Sequence, residues 1–126
     1  MFQKLLWIAV AGAAGTLARY GLAGLVHRWP GSSEFPWGTL VVNAAGCLLF
    51  GVVWGLAEYR HVISDDLRPI ILIGFMGAFT TFSTFAFETT HMLQGAQWGY
   101  AAANIVAQNV LGVIMVLAGF ALARAI

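Results

Sequence analysis

The chain carries almost no charge. Of 126 residues, six are basic and five acidic, so 9 % are charged and the formal net charge is +1. That balance excludes an electrostatic footprint for nucleic acid or for an acidic partner. Cysteine is equally scarce: Cys47 stands alone inside an apolar run, which excludes an intrachain disulfide and leaves a small packing residue. Proline occurs three times, at Pro30, Pro36 and Pro69, each time between the apolar runs. There is no Ser–His–Asp set, HExxH motif or phosphate-binding glycine loop, so nothing points to an enzyme. What fills the chain is 60 % hydrophobic residues at a mean hydropathy of +0.83. Those values lie outside the soluble range. They predict one all-α membrane domain spanning residues 1–126.

Four runs are long enough to cross a bilayer: Leu5–Val26, Trp37–Ala57, Ile70–Leu93 and Trp98–Ala123. Each approaches or exceeds the roughly 20 residues that a hydrocarbon core requires. The first begins like a secretory signal, with Lys4 ahead of an apolar stretch, but it continues to Val26 and is predicted to be an uncleaved helix. The connectors, around residues 27–36, 58–69 and 94–97, are short and turn-like. Trp7, Trp29, Trp37, Trp54, Tyr59, Trp98 and Tyr100 mostly flank the runs, as interfacial aromatics do. Gly12 with Gly15, Gly51 with Gly55, and Gly112 with Gly119 recur at intervals that let helices approach closely in lipid. So tight a bundle has little room for a hydrated lumen, and a conducting path would need a second copy as a wall. Four spans place both termini on one side. Lys4, Arg60, Arg68 and Arg124 then oppose Arg19 and Arg28, a lean toward cytoplasmic termini.

The third run contains Gly74-Phe75-Met76-Gly77-Ala78-Phe79-Thr80-Thr81-Phe82-Ser83-Thr84-Phe85, which predicts a helix broken near its middle. Non-helical backbone at membrane depth persists only where protein or a water-filled cavity satisfies it. Gly74, Gly77 and Ala78 offer a place to bend, and Thr80 or Thr81 can cap a restarted helix. The first half would end in free carbonyls suited to a cation, and the second would begin with free N–H groups suited to an anion. Phe82 and Phe85 lie three residues apart and share a face. Their electropositive ring edges can solvate a small anion weakly enough for it to leave again. An unbroken helix with back-bonded hydroxyls and lipid-facing rings is the alternative.

Other polar residues at membrane depth are Arg19, Asn43, Glu88, His91, Asn104, Gln108 and Asn109, each a functional candidate because of its cost there. Arg19 either snorkels to the interface or lines a vestibule that concentrates anions. Asn43, one turn after Thr39, either joins helices or aims an N–H at a partly dehydrated anion. Asn104, Gln108, Gly112, Met115 and Gly119 form a stripe that is either a packing seam or a pore wall. Glu88-x-x-His91 has the spacing of a di-iron ligand pair, but the other spans supply no matching carboxylates.

These residues resemble the Fluc (CrcB-type) fluoride ion channels of bacteria over nearly the full length. The resemblance rests on Gly12-x-x-Gly15 with Arg19-Tyr20, on Gly38-Thr39-Leu40-x-x-Asn43, and on the third-span block from Gly74 to Phe85. It implies an antiparallel, dual-topology homodimer in the inner membrane, with two fluoride paths and passive fluoride export. Phe82 and Phe85 match the phenylalanines whose edges line those paths, Asn43 the pore-facing asparagine, and Arg19 the basic vestibule residue. Thr81, Ser83 and Thr84 would add hydroxyl donors. The break near Gly77 and Thr80 matches the place where backbone carbonyls hold a central structural Na⁺. Two departures stand out. Asn104, Gln108, Gly112 and Val116 occupy a fourth-span face where serine or threonine is common, and Ala78-Phe79 replaces a common Gly-Leu. The competing class, a small four-span proton-coupled exporter, needs a first-span carboxylate where this chain has Arg19.

Overall fold

A computed structural model describes residues 1–28 and 34–126. Trp29, Pro30, Gly31, Ser32 and Ser33, in the connector read as turn-like from sequence, lie outside the described residues. The described chain is helical throughout, in the order α1 (Phe2–His27), α2 (Trp37–Arg60), α3 (Leu67–Pro69), a π-helical segment π1 (Ile70–Met76), α4 (Gly77–Phe79), α5 (Phe82–Gln94) and α6 (Trp98–Ala125). α3, π1, α4 and α5 together form the third of four stretches long and apolar enough to cross a membrane.

The helices outrun the apolar sequence. α1 starts at Phe2 rather than Leu5, α2 ends at Arg60 rather than Ala57, and α6 continues to Ala125. Helical hydrogen bonding persists into the interface because the backbone still needs partners there, while Lys4, Arg60 and Arg124 extend their charged ends to water. α2 stops where His61 turns into the left-handed region at φ 53°.

Burial separates two inner spans from two outer ones. In the most apolar window of each span, 39 % of α2 and 33 % of the third span are buried, against 6 % for α1 and for α6. α6 packs most extensively on α2, and α1 packs on π1. Glycines set these distances. A Cβ on Gly15 would run into the Phe75 carbonyl, one on Gly51 into the Val116 carbonyl, and one on Gly119 into the Leu48 carbonyl. Helices in lipid gain their association from such close approach.

The third span is interrupted, but not at its glycines. Gly77 is helical at φ −61° and ψ −33°. The chain leaves the helix at Thr80 (φ −83°, ψ 158°) and Thr81 (φ −148°, ψ 112°), then restarts at Phe82. Ahead of the break, π1 widens the helix, and the Gly77 N–H bonds the Leu72 carbonyl five residues back. Gly74 serves packing instead: a Cβ there would meet Ala11 Cβ and the Ile8 carbonyl, each at 2.9 Å.

Candidate functional site

Two extended residues at membrane depth need new partners for their backbone, and α2 supplies them. Asn43 Oδ1 accepts from the Thr81 N–H at 2.8 Å, and Asn43 Nδ2 donates to the Thr81 carbonyl at 3.1 Å. The side-chain amide thus pairs with the broken strand as a neighbouring peptide would. That pairing fixes the orientation of the Asn43 amide, because only the oxygen can accept from an N–H. Its remaining amide hydrogen goes to Gln108 Oε1 on α6 at 3.1 Å. The orientation of Gln108 follows in turn. Its Nε2 points away from Asn43 and is buried without a hydrogen-bond partner.

The restarted helix is capped locally. Thr81 Oγ1 accepts from the Thr84 N–H at 3.2 Å and donates to Thr84 Oγ1 at 2.9 Å. Ser83 Oγ lies 3.4 Å from Thr81 Oγ1. Thr80 closes the first half, its hydroxyl and its N–H both bonding the Met76 carbonyl at 3.0 Å. The break therefore deprives the last carbonyls of the first half of their usual helical donors, those of Gly77 and Thr80 among them. The Thr81 N–H goes to Asn43 rather than back one turn to Gly77, and the Thr84 N–H goes to Thr81 Oγ1 rather than to Thr80.

Three open-sided clefts surround this structure. The first, of about 290 Å³, brings together Asn43, Thr80, Thr81, Phe82, Phe85 and Gln108, with Gly46 and Cys47 beneath them. Phe82 and Phe85 meet edge to face, with centroids 5.4 Å apart and planes at 62°. One ring edge is thereby directed at its neighbour, while Phe82 remains 78 % exposed. The second cleft, of about 320 Å³, contains Arg19, Thr39, Thr81, Thr84 and Glu88. Arg19 is half-buried there and makes no hydrogen bond or ion pair among the described residues. The third cleft, about 620 Å³, is lined by His27, Glu34, Glu88 and His91 among others. Neighbouring clefts share walls: Thr81 borders the first and second, and Glu88 and His27 border the second and third.

Of the residues singled out from sequence, Asn43, Thr81, Phe82 and Phe85 come together in one cleft, and Arg19 and Thr84 in the adjoining one. Ser83 lines neither cleft, and Gly77 is exposed. Gln108 proves to be an integral part of the first cleft, which its four-residue spacing from Asn104 did not reveal. Asn104 instead turns to α5, fully buried, and donates to Thr89 Oγ1 at 3.0 Å. Glu88 accepts from Thr39 Oγ1 at 2.7 Å, and its other oxygen is buried and unpartnered. Among the described residues no cluster of three His, Cys, Asp or Glu side chains is placed to hold a metal, so the Glu88–His91 spacing is not part of such a set.

The chain is similar to known proteins over its whole length. A family profile described as CrcB-like protein, Camphor Resistance (CrcB), matches residues 6–120. A protein of Nitrosococcus oceani named fluoride-specific ion channel FluC is 56 % identical over 126 residues, covering all of both chains. Proteins of the same name from Solidesulfovibrio magneticus and Desulforapulum autotrophicum are 51 % and 49 % identical, also over the full length of both chains. With the profile spanning all four helices and relatives aligning end to end across the broken third span, the chain belongs to the CrcB family.

Proposed function

We propose that this chain forms a fluoride-selective channel for passive export across the inner membrane, and is not an enzyme. The observation that carries the reading is the first cleft. An Asn43-held break brings Thr81, Phe82, Phe85 and Gln108 around one space at membrane depth, with Gln108 Nε2 buried and unpartnered behind it. The names of the full-length relatives supply the ion, and they lend no support to a proton-coupled exporter.

Fluoride is compact and tightly hydrated, so a path must replace its water with many close donors that are individually soft. Arg19, free of any carboxylate partner, raises the local anion concentration at the entrance. Thr84 offers its hydroxyl hydrogen to the second cleft, whereas Thr81 spends its own on Thr84 Oγ1 and Ser83 lines neither cleft. Asn43 lines the path and holds it open. Both of its amide hydrogens already bond protein, so the amide left without a protein partner is Gln108 Nε2, which would reach the ion by turning toward the cleft. The Phe82 and Phe85 edges then carry the ion through the narrow part, attracting it without trapping it. Chloride is rejected because the lining is too close for a larger ion.

Two copies inserted in opposite orientations complete the walls, giving an antiparallel homodimer with two paths. α1 and α6, with 6 % of their apolar windows buried in the single chain, have surface to give to that assembly and to lipid. A structural Na⁺ fits the chemistry of the break. The Gly77 and Thr80 carbonyls have both lost their usual helical donors, and oxygen ligands suit a hard cation. Bound there, the ion would contribute positive potential.

The test is fluoride efflux from reconstituted vesicles, followed with an ion-selective electrode beside a chloride control. Phe82→Ile and Phe85→Ile should each slow fluoride efflux about tenfold or more, equivalent to about 1.4 kcal/mol on the barrier. Equal fluoride and chloride rates in the parent protein would overturn the selectivity. Unchanged efflux in both variants would remove the ring-edge role.

A further inference from the structure

The end of the bundle where α2 and α6 finish carries four basic side chains, and they are not equally occupied. Lys4 pairs with Asp66 at 3.1 Å, and Arg68 with Glu58 at 3.1 Å. Arg60 and Arg124 have no carboxylate within ion-pair distance among the described residues. They are held beside each other all the same. Arg60 Nη2 donates to the Arg124 carbonyl at 3.2 Å, and Arg124 Nη2 donates to the Tyr59 hydroxyl at 2.8 Å. The Arg124 guanidinium also lies over the Tyr59 ring, 4.5 Å from its centroid.

Each guanidinium has five N–H donors in a planar fork, and each uses one of its terminal nitrogens on protein. The remainder match the oxygens of a phosphate, which guanidinium groups bind in bidentate fashion. The scaffold beneath is rigid, because α2 and α6 form the most extensively packed helix pair. The depth is that of a headgroup layer. Tyr59 and Trp54 are partly exposed along α2, as interfacial aromatics are, and Leu122 presents apolar surface one turn below Ile126. Arg60 caps the last turn of α6 with one nitrogen, but capping does not explain Arg124, which turns onto an aromatic ring, away from the carbonyls of its own last turn.

We infer that Arg60 and Arg124 form a binding site for the phosphate of an anionic membrane lipid. Net negative charge on the lipid is required, because a zwitterionic headgroup carries its own cation to the phosphate. A basic residue near the membrane surface strengthens attraction to anionic lipid enough to change affinity about fivefold.

The experiment measures the thermal unfolding midpoint of the detergent-solubilised full chain during titration with phosphatidylglycerol. Phosphatidylcholine with the same acyl chains and inorganic phosphate are run alongside. Phosphatidylglycerol should raise the midpoint more than either. Arg60→Gln and Arg124→Gln should each raise the lipid concentration at half-effect about fivefold, and the double variant should respond to the two lipids alike. Tyr59→Phe, which keeps the ring but frees Arg124 from its hydroxyl anchor, should weaken the response by less. If the double variant does not fold, Arg60→Gln alone decides, because its contact is to an exposed main-chain oxygen. A parental phosphatidylglycerol response in Arg60→Gln overturns the site. Equal stabilisation of the parent by inorganic phosphate assigns the arginine pair to a free anion and overturns the lipid assignment, as does equal stabilisation by phosphatidylcholine.

Discussion

Replacing Asn43 by alanine removes the clasp between α2 and the third span. Three hydrogen bonds disappear: to the Thr81 N–H, to the Thr81 carbonyl and to Gln108 Oε1. Side-chain hydrogen bonds between membrane helices average about 0.6 kcal/mol each, so the variant should lose about 2 kcal/mol of stability. The larger figure of about 1–3 kcal/mol for each stranded group applies to dry sites. Here the first cleft is open on one side, so water can reach the freed groups. A loss of about 2 kcal/mol lowers the folded-to-unfolded ratio about 30-fold, within reach of unfolding titrations in mixed micelles. The Thr81 amide should exchange its hydrogen faster at the same time, and fluoride efflux should fall because Thr81 and Gln108 are no longer fixed. Asn43→Asp keeps the acceptor for the Thr81 N–H but gives up both donations. It sets a carboxylate oxygen against the Thr81 carbonyl and Gln108 Oε1, so it should be no more stable than the alanine variant and should conduct poorly, since a carboxylate repels the anion. An alanine variant as stable as the parent, with the Thr81 amide still protected, would refute the clasp.

Thr81→Val removes the cap on α5 and should cost about 1 kcal/mol in the same titration, with Thr81→Ser restoring it. Arg19→Gln should slow fluoride efflux severalfold at low ionic strength, and the difference from the parent should shrink as salt rises and screens the vestibule. Salt-independent slowing would point instead to a direct contact. Gly15→Ala drives a methyl into the Phe75 carbonyl and should destabilise the bundle by about 1–3 kcal/mol. Gly12→Ala, whose Cβ would sit 3.6 Å from the Gly74 carbonyl, should be tolerated, so equal sensitivity at both positions would contradict the packing described.

The spans were legible because length and apolarity alone decide what a bilayer admits, and their ends were not, because a helical backbone continues past the last greasy residue. The interruption was legible from the hydroxyl and phenylalanine block. Its position was not, because glycine at 74 and 77 marks where local bending is cheap, whereas the chain leaves the helix where a distant amide can replace the lost partners. Asn43 lies 38 residues from Thr81, and no spacing rule connects them. Either threonine could have capped the restarted helix. Geometry selects Thr81, while Thr80 bonds backwards to Met76. Gln108 and Asn104 read as one stripe, yet they take different partners, Asn43 and Thr89. Glu88 stands out in the sequence only for its cost at membrane depth, and only the fold brings it to Thr39, 49 residues away.

Holding the break from a neighbouring helix has a consequence for biogenesis. Until the second span docks, the Thr81 N–H and carbonyl would have no partner at membrane depth if the chain left the helix there, and backbone groups stranded in hydrocarbon are costly. A newly inserted third span therefore stays a continuous helix until Asn43 arrives, and the break forms as the two spans meet.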